Sequence, residues 1–366
     1  MMKKTLILFL ALQLNIALAG PVIKVLNTYT FDFINMTLAT QIVPLNNGGY
    51  IVQKYGHVIA IFDQNGKFER EIEIAPMTPI YQKGVQLKDG RILFIDSESY
   101  MTIYDEKLNK LSEHQIPAEY PWGPCMTENG KLVFGTYRDD QIVIMDKLGN
   151  FSSIDEAGIK LKTPVCLANN MATIMSGSGT LSIIDLNKDD AQVVYQDNFK
   201  YIDDSFKVIN NKINFLTGDA KYIIDPKTLK SEKFYHANLG EFIGVDYFND
   251  GRYVVIASVQ DENTRKYYSQ IKVYSPHGEK IGSMTEMNTG GTATPEVKII
   301  DDKYILTNHC ASSLFLYEFT DQLYERDRIK TPVWLCDSFT DLADGSIATD
   351  GYRNGDNTVF QIKIEN

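Results

Sequence analysis

Between Asp89 and Leu111 the chain reads as a turn, an alternating apolar run through Ile92 and Phe94, a polar break, a second run through Met101 and Ile103, and an Asp105 that opens another turn. Apolar residues at period two bounded by Asp-Gly chemistry predict a β-hairpin. The pattern returns along the chain, with turn dipeptides at Gly48-Gly49, Asp89-Gly90, Asn129-Gly130, Asn169-Asn170, Asn210-Asn211, Asp250-Gly251, Asp301-Asp302 and Asp344-Gly345. The second run ends apolar-apolar-Asp at Asp63, Asp105, Asp146, Asp185 and Asp225, while Ser275 and Glu318 stand there in the sixth and seventh units. A short polar side chain at that place accepts a hydrogen bond from the backbone two residues on and nucleates the next turn.

A period of about 40 residues with four short strands per unit predicts a β-propeller. In the fourth unit the strands are PVCLA, TIMSG, LSIID and AQVVYQ. Such a sheet exposes both faces, and only the neighbouring unit buries them. The eighth unit ends at TVFQIKIEN with three strands, and VIKVLNTYTFDF at 22–33 precedes the first unit as an unassigned strand. The expectation is an all-β, eight-bladed propeller of four-stranded antiparallel blades, with the N-terminal run completing the last blade as its outermost strand. Val25, Tyr29, Phe31 and Phe33 are read as one apolar edge of that strand. Closure of this kind removes free sheet edges.

Strand order places the tight turns on one face and the longer second-to-third and fourth-to-first loops on the other. Binding residues gather on loops held by a rigid scaffold. The candidate site residues there are Tyr81, Tyr120, Trp122, Arg138, His309, Trp334 and Arg353, accompanied by Gln82, Tyr55, His57, Asp139, Asp140, Asp337 and Asp356. Aromatic residues and Arg are enriched at binding hot spots; the same tryptophans also suit plugs in the mouth of a wide channel. Thr-Pro at 78, 163, 294 and 331 introduces first strands and reads as a structural device. In the sixth unit the connection ASVQDENTRKYYSQ reads as a hairpin arm, either solvated or partner-binding.

Composition changes the picture in three places. Residues 1–19, with Lys3 and Lys4 before TLILFLAL and Ala17-Leu18-Ala19 before Gly20, read as a signal peptide, which makes 20–366 a single exported propeller domain, periplasmic or extracellular. The formal charge of −11 disfavours nucleic acid as a partner, and no later apolar run is long enough to span a membrane. The 44% hydrophobic content, with 21 Tyr and 18 Phe, suits a strand-rich core.

Four cysteines raise the question of pairing in an oxidising compartment. Cys125 and Cys166 stand four residues before Asn129 and Asn170. On that alignment they are equivalent and point the same way round the ring, so they are not expected to bond. Buried free thiols are the plainer reading, and if a disulfide forms it is expected between Cys310 and Cys336.

Catalytic signatures are absent: there is no phosphate loop, HExxH, CxxC or nucleophile elbow. His57, His114, His236, His277 and His309 lack metal-ligand spacing. DGYRNGDN at 350–357 is the one stretch considered for calcium, and a Gly/Asn turn is its plainer reading. No other cofactor is expected. Asn35-Met36-Thr37 and Asn150-Phe151-Ser152 fit the glycosylation sequon.

The unit NGKLVFGTYRDDQIVIMDKLGNF, 129–151, resembles the blades of the WD-like and quinoprotein-like propeller superfamily, and the likeness extends over nearly the whole chain. Among its eight-bladed, exported members the resemblance is nearest to assembly-factor propellers of the bacterial periplasm, which bind partner proteins. The adjacent-cysteine pair and the Gly/Trp docking motif of quinone-dependent dehydrogenases are missing. The function expected is that of a monomeric, non-catalytic binding or scaffold propeller engaging a protein or glycan through its loop-rich face. The alternative is a metal-assisted hydrolase, lactonase or lyase at the channel mouth, drawing on Asp96, Asp139, Asp203, Asp219, Asp337 and Asp350.

Overall fold

The computed structural model describes residues 20–32, 41–53, 58–73, 84–96, 98–139, 141–155, 163–188, 190–200, 205–237, 239, 242–260, 267–287, 296–308, 312–333, 335, 339–353 and 356–365. Every regular element among them is a β-strand, and the strands form eight four-stranded antiparallel sheets. Blades 1 to 7 follow chain order from their innermost strands, which begin at Gln41, Val85, Pro121, Val165, Lys207, Phe242 and Val297. The eighth blade is composite: Thr340–Asp341, Ile347–Arg353 and Asp356–Glu365 are completed by Val22–Asp32 on the outside.

Eight apolar clusters hold the ring together, one at each seam between neighbouring blades. The cluster that shuts the circle joins Leu342, Ala348 and Val359 of blade 8 to Ile42, Tyr50, Val52, Ala60 and Phe62 of blade 1. A sheet buried on both faces needs apolar side chains at successive positions, and the second strands of blades 1 and 2, Tyr50–Gln53 and Ile92–Ile95, are buried throughout.

Turn chemistry follows the repeat. Asn65 N donates to Asp63 Oδ1 at 2.8 Å, and the same bond recurs at Asp105, Asp146, Asp185 and Asp225, with Ser275 Oγ standing in at 3.3 Å. Hydrogen bonds from the Lys67 and Asn65 amides hold the Asp63 carboxyl below its ordinary value. Glu318 does otherwise, pairing with Lys303 and Arg326. The turns between first and second strands also touch each other. Asn46 N donates to Gln86 Oε1, Asn129 N to Asn170 Oδ1, Ala168 N to Asn211 Oδ1, and Asn249 N to Asp302 Oδ1. Asn210 Nδ2 donates to the Asn249 carbonyl. This belt laces much of the turn face.

The N-terminal strand departs from its expected form in one respect. It pairs from Val22↔Glu365 to Asp32↔Asp356, but a bulge between Val25 and Asn27 shifts its phase by one residue. Ile23 therefore packs at the seam with blade 7 and Tyr29 at the seam with blade 1, while Val25 is 42% exposed. The single apolar edge expected of Val25, Tyr29, Phe31 and Phe33 is split, because a one-residue slip sends later side chains to the other face. Phe33 and the side chain of Phe31 lie outside the described residues.

The cysteines require a larger correction. Cys125 and Cys166 form a disulfide, with Cα atoms 5.5 Å apart. The residue equivalent to Asn129 is Asn169 rather than Asn170, since Thr127 pairs with Lys131 as Leu167 pairs with Met171. The two cysteines are thus offset by one residue and point to opposite faces of their strands. Cys125 lies opposite Val133 and Cys166 opposite Ala172, and both of those residues belong to the cluster between blades 3 and 4. Cys310 and Cys336 lie outside the described residues.

The hairpin arm of blade 6 is present. Its two middle strands, Tyr253–Gln260 and Tyr267–Tyr274, have eight residues each and stay paired out to Gln260↔Tyr267. The tip, 261–266, lies outside the described residues.

Candidate functional site

On the loop face of blade 3, the entry to the innermost strand and the second-to-third connection bring three expected residues together. Pro121 pairs with Thr136 and Trp122 with Gly135, so the chain on either side of that pairing is held at one edge. The Tyr137 amide donates to the Tyr120 carbonyl at 3.1 Å. Tyr120 has φ 50°, in the left-handed region that bulky residues seldom enter. The Arg138 guanidinium lies 4.6 Å from the Tyr120 ring centroid and pairs with Glu119 at 3.5 Å. Asp139 Oδ2 accepts from the Glu119 amide.

Trp122 occupies the bulge that precedes Cys125. Next to it Gly123 has φ 93°, and a Cβ there would meet Pro164 Cδ at 2.8 Å. The Thr-Pro entry of blade 4 thus packs so closely on blade 3 that only glycine fits. The Trp122 ring meets Tyr137 at 6.3 Å between centroids with 46° between planes. Its Nε1 is buried and has no hydrogen-bond partner. Tyr137 is 39% exposed.

Of the expected site residues, Tyr120, Trp122 and Arg138 converge. Tyr81, His309 and Trp334 lie outside the described residues, as do Tyr55, His57, Gln82, Asp140 and Asp337. Arg353 is described by its backbone only, as the end of a strand opposite Asp356. Glu119 and Tyr137 were not among the candidates. Counting the hairpin outward from the Asn129-Gly130 turn would place Tyr137 opposite Pro121, and the register shift between Trp122 and Cys125 moves it one residue further, to Tyr120.

The four described acidic residues considered for a metal, Asp96, Asp139, Asp219 and Asp350, lie in four different blades. Asp96 caps its own hairpin, accepting from Glu98 N at 2.9 Å and Tyr100 N at 2.8 Å. Asp219 accepts from Thr217 Oγ1 and Lys233 Nζ in blade 5. Asp350 is a buried strand residue opposite Val359 in blade 8. Asp203 and Asp337 lie outside the described residues, and among those described no three His, Cys, Asp or Glu residues are grouped to hold a metal ion. No described helix is long and apolar enough to cross a membrane.

No protein-family model matches the chain, and no curated protein matches it by sequence. Solved structures do match by shape. BamB from Moraxella catarrhalis superposes with a TM-score of 0.66 at 14% identity, over 93% of this chain and 99% of that one. The C-terminal WD40 domain of Sif2 gives 0.65 at 10% identity, over 93% and 99%. The dihydro-heme d1 dehydrogenase NirN, in complex with DHE, gives 0.65 at 11% identity, over 92% and 77%. Identities this low speak for fold alone, and the fold they share with this chain is the β-propeller, here in an eight-bladed form.

Proposed function

We propose that this protein is an exported, monomeric, non-catalytic binding or scaffold propeller that engages a protein or glycan through its loop-rich face. The observation that carries the reading is the patch on blade 3, where Tyr120, Trp122, Tyr137 and Arg138 gather at one edge. The opposite face is occupied by turns laced to one another and offers little that a partner could reshape. BamB and the Sif2 WD40 domain share the ring, which makes a scaffold role the natural comparison. The disulfide between Cys125 and Cys166 supports an oxidising compartment, periplasmic or extracellular, in keeping with the basic-then-apolar pattern of residues 1–19.

Trp122→Ala tests the reading. Partners cross-linked to the wild-type protein in its native compartment should be lost, while the melting temperature changes by no more than about 4 °C. A variant that unfolds would make Trp122 a plug of the ring, and one that keeps every partner would move the binding site elsewhere.

A further inference from the structure

Asparagine followed by glycine is the pair most open to spontaneous deamidation, because glycine has no side chain to shield the amide nitrogen that attacks. The chain has four such pairs, beginning at Asn47, Asn65, Asn129 and Asn354, and the last lies outside the described residues. We propose that Asn47 is the modification site among the other three, an ageing site that the fold itself activates at the seam between blades 1 and 2.

The reaction needs only water. The Gly48 amide gives its proton to solvent base, and its nitrogen bonds to Asn47 Cγ. As the Cγ–Nδ2 bond breaks, Nδ2 takes a proton and leaves as ammonia, and a succinimide ring remains. One water then opens the ring at either carbonyl, giving aspartate or isoaspartate. Negative charge gathers on Oδ1 as the ring closes, so the groups that face the side-chain amide set the rate.

Those groups differ at the three sites. Asn47 is exposed, and its Oδ1 accepts from the Gly49 amide at 3.0 Å. A backbone donor fixed there stabilises the developing oxyanion. The Asn65 side chain hydrogen-bonds the Asp63 carboxylate, which sets a negative charge beside the carbon that must accept another. Asn129 is held at both ends, Oδ1 by Thr127 Oγ1 at 2.6 Å and Nδ2 by the Leu186 carbonyl of blade 4 at 3.0 Å, so the leaving nitrogen is tied down. The Thr127 hydroxyl proton is also shared with the Lys131 carbonyl. The attacking amides do not separate the sites: Gly48, Gly66 and Gly130 each donate to the carbonyl three residues back, at 2.9 to 3.0 Å, and each bond must open first.

The product changes the seam. Asn47 shares a crevice of about 350 Å³ with Asp63, Glu69, Arg70 and Glu106, so a new carboxylate joins three others beside one guanidinium. Isoaspartate also lengthens the backbone by one carbon, next to the Asn46 amide that donates to Gln86 of blade 2. Both outcomes loosen the lacing between the two blades.

Peptide mass spectrometry of the full-length protein, kept folded in warm, mildly alkaline buffer and sampled over days, tests the assignment. Trypsin puts the three asparagines in separate peptides, because Lys54, Lys67 and Lys110 stand between them. Asn47 should deamidate at least about tenfold faster than Asn65 or Asn129, the factor that about 1.4 kcal/mol at the transition state gives. In protein unfolded by guanidinium the three rates should fall together. Folded protein in which Asn65 or Asn129 reacts as fast as Asn47, or unfolded protein that keeps the same ranking, overturns the proposal. Asn47→Asp copies one product and should melt below wild type at low salt, with the gap closing at high salt. Equal melting at low salt overturns the loosening of the seam.

Discussion

The seam between blades 3 and 4 and the seam between blades 5 and 6 occupy equivalent places in the ring and are built from different chemistry. The first is aliphatic: Val133, Ile142, Ile144, Ala172, Ile174, Ile184 and Leu186 fill it, and the Cys125–Cys166 bond staples it. The second adds Tyr247, Tyr253 and Tyr274 to Leu216, Leu239, Val245 and Val255, with Tyr253 stacked on Tyr274 at 5.0 Å. Lys221 is fully buried there, donating to the Gly251 carbonyl at 2.6 Å and lying 5.3 Å from the Tyr253 ring. Near the axis Asp246 accepts from Lys207 of blade 5 and, at 2.7 Å, from the Ile299 amide of blade 7. Tyr253 Oη and His236 Nε2 are buried without partners. The repeat specifies a volume to be filled on each face. The charged groups Lys221 and Asp246 are accommodated by a carbonyl, aromatic rings, an amide and an ammonium, while the Tyr253 hydroxyl and His236 Nε2 go without a partner at some cost.

The largest effect should come from a change that touches neither seam and so sets the scale. Deleting residues 20–32 removes buried Ile23 and half-buried Tyr29 and strips blade 8 of its outer strand, at a cost on the order of 5 kcal/mol. Light scattering during a thermal melt should show early aggregation. A monomeric truncation that melts like the full chain would mean the ring closes without that strand.

Cys125→Ala with Cys166→Ala should cost about 2–5 kcal/mol in chemical denaturation, since the bond closes a segment of 41 residues between two blades. An unchanged midpoint would show that the aliphatic filling alone holds this seam. Asp246→Ala should cost about 2–3 kcal/mol by the same measurement, because it leaves the Ile299 amide and the Lys207 ammonium without their acceptor.

The smallest effect has the opposite sign. Lys221→Met should stabilise the protein by about 1 kcal/mol, as a buried charge gives way to an apolar side chain of similar length. Burial lowers the Lys221 pKa to about 8 from 10.5. Below pH 8 the amine is charged in both folded and unfolded chains and the folded state bears the cost. Between pH 8 and 10 the unfolded chain holds more protons, so wild-type stability should rise with pH. Above pH 10 the trend should reverse, because burial raises the Tyr247 and Tyr253 pKa values and the unfolded chain loses those protons first. Denaturation midpoints at pH 7 and 9.5 should converge between wild type and Lys221→Met. A gap that persists would place the cost of Lys221 in its packing rather than its charge.

The sequence by itself determined the blade count, the composite eighth blade and the position of each tight turn, because these depend on local signals. Alternation at period two and a side chain that bonds two residues ahead act within a few residues and survive any arrangement of the ring. The convergence of Tyr120, Trp122 and Arg138 was partly legible for the same reason, since a hairpin's turn sets which residues meet across it.

Only the tertiary structure decided which way side chains face. A one-residue offset between Thr127 and Leu167 as turn anchors put Cys125 and Cys166 face to face across a seam. A bulge after Val25 sent Tyr29 to blade 1 instead of blade 7. Lys221, a polar residue by composition, is buried because blade 6 covers it with two tyrosines and a carbonyl some 30 residues downstream. Facing inverts with every residue of phase, whereas the repeat is read only to the nearest residue or two, and the neighbour that buries a side chain belongs to another blade.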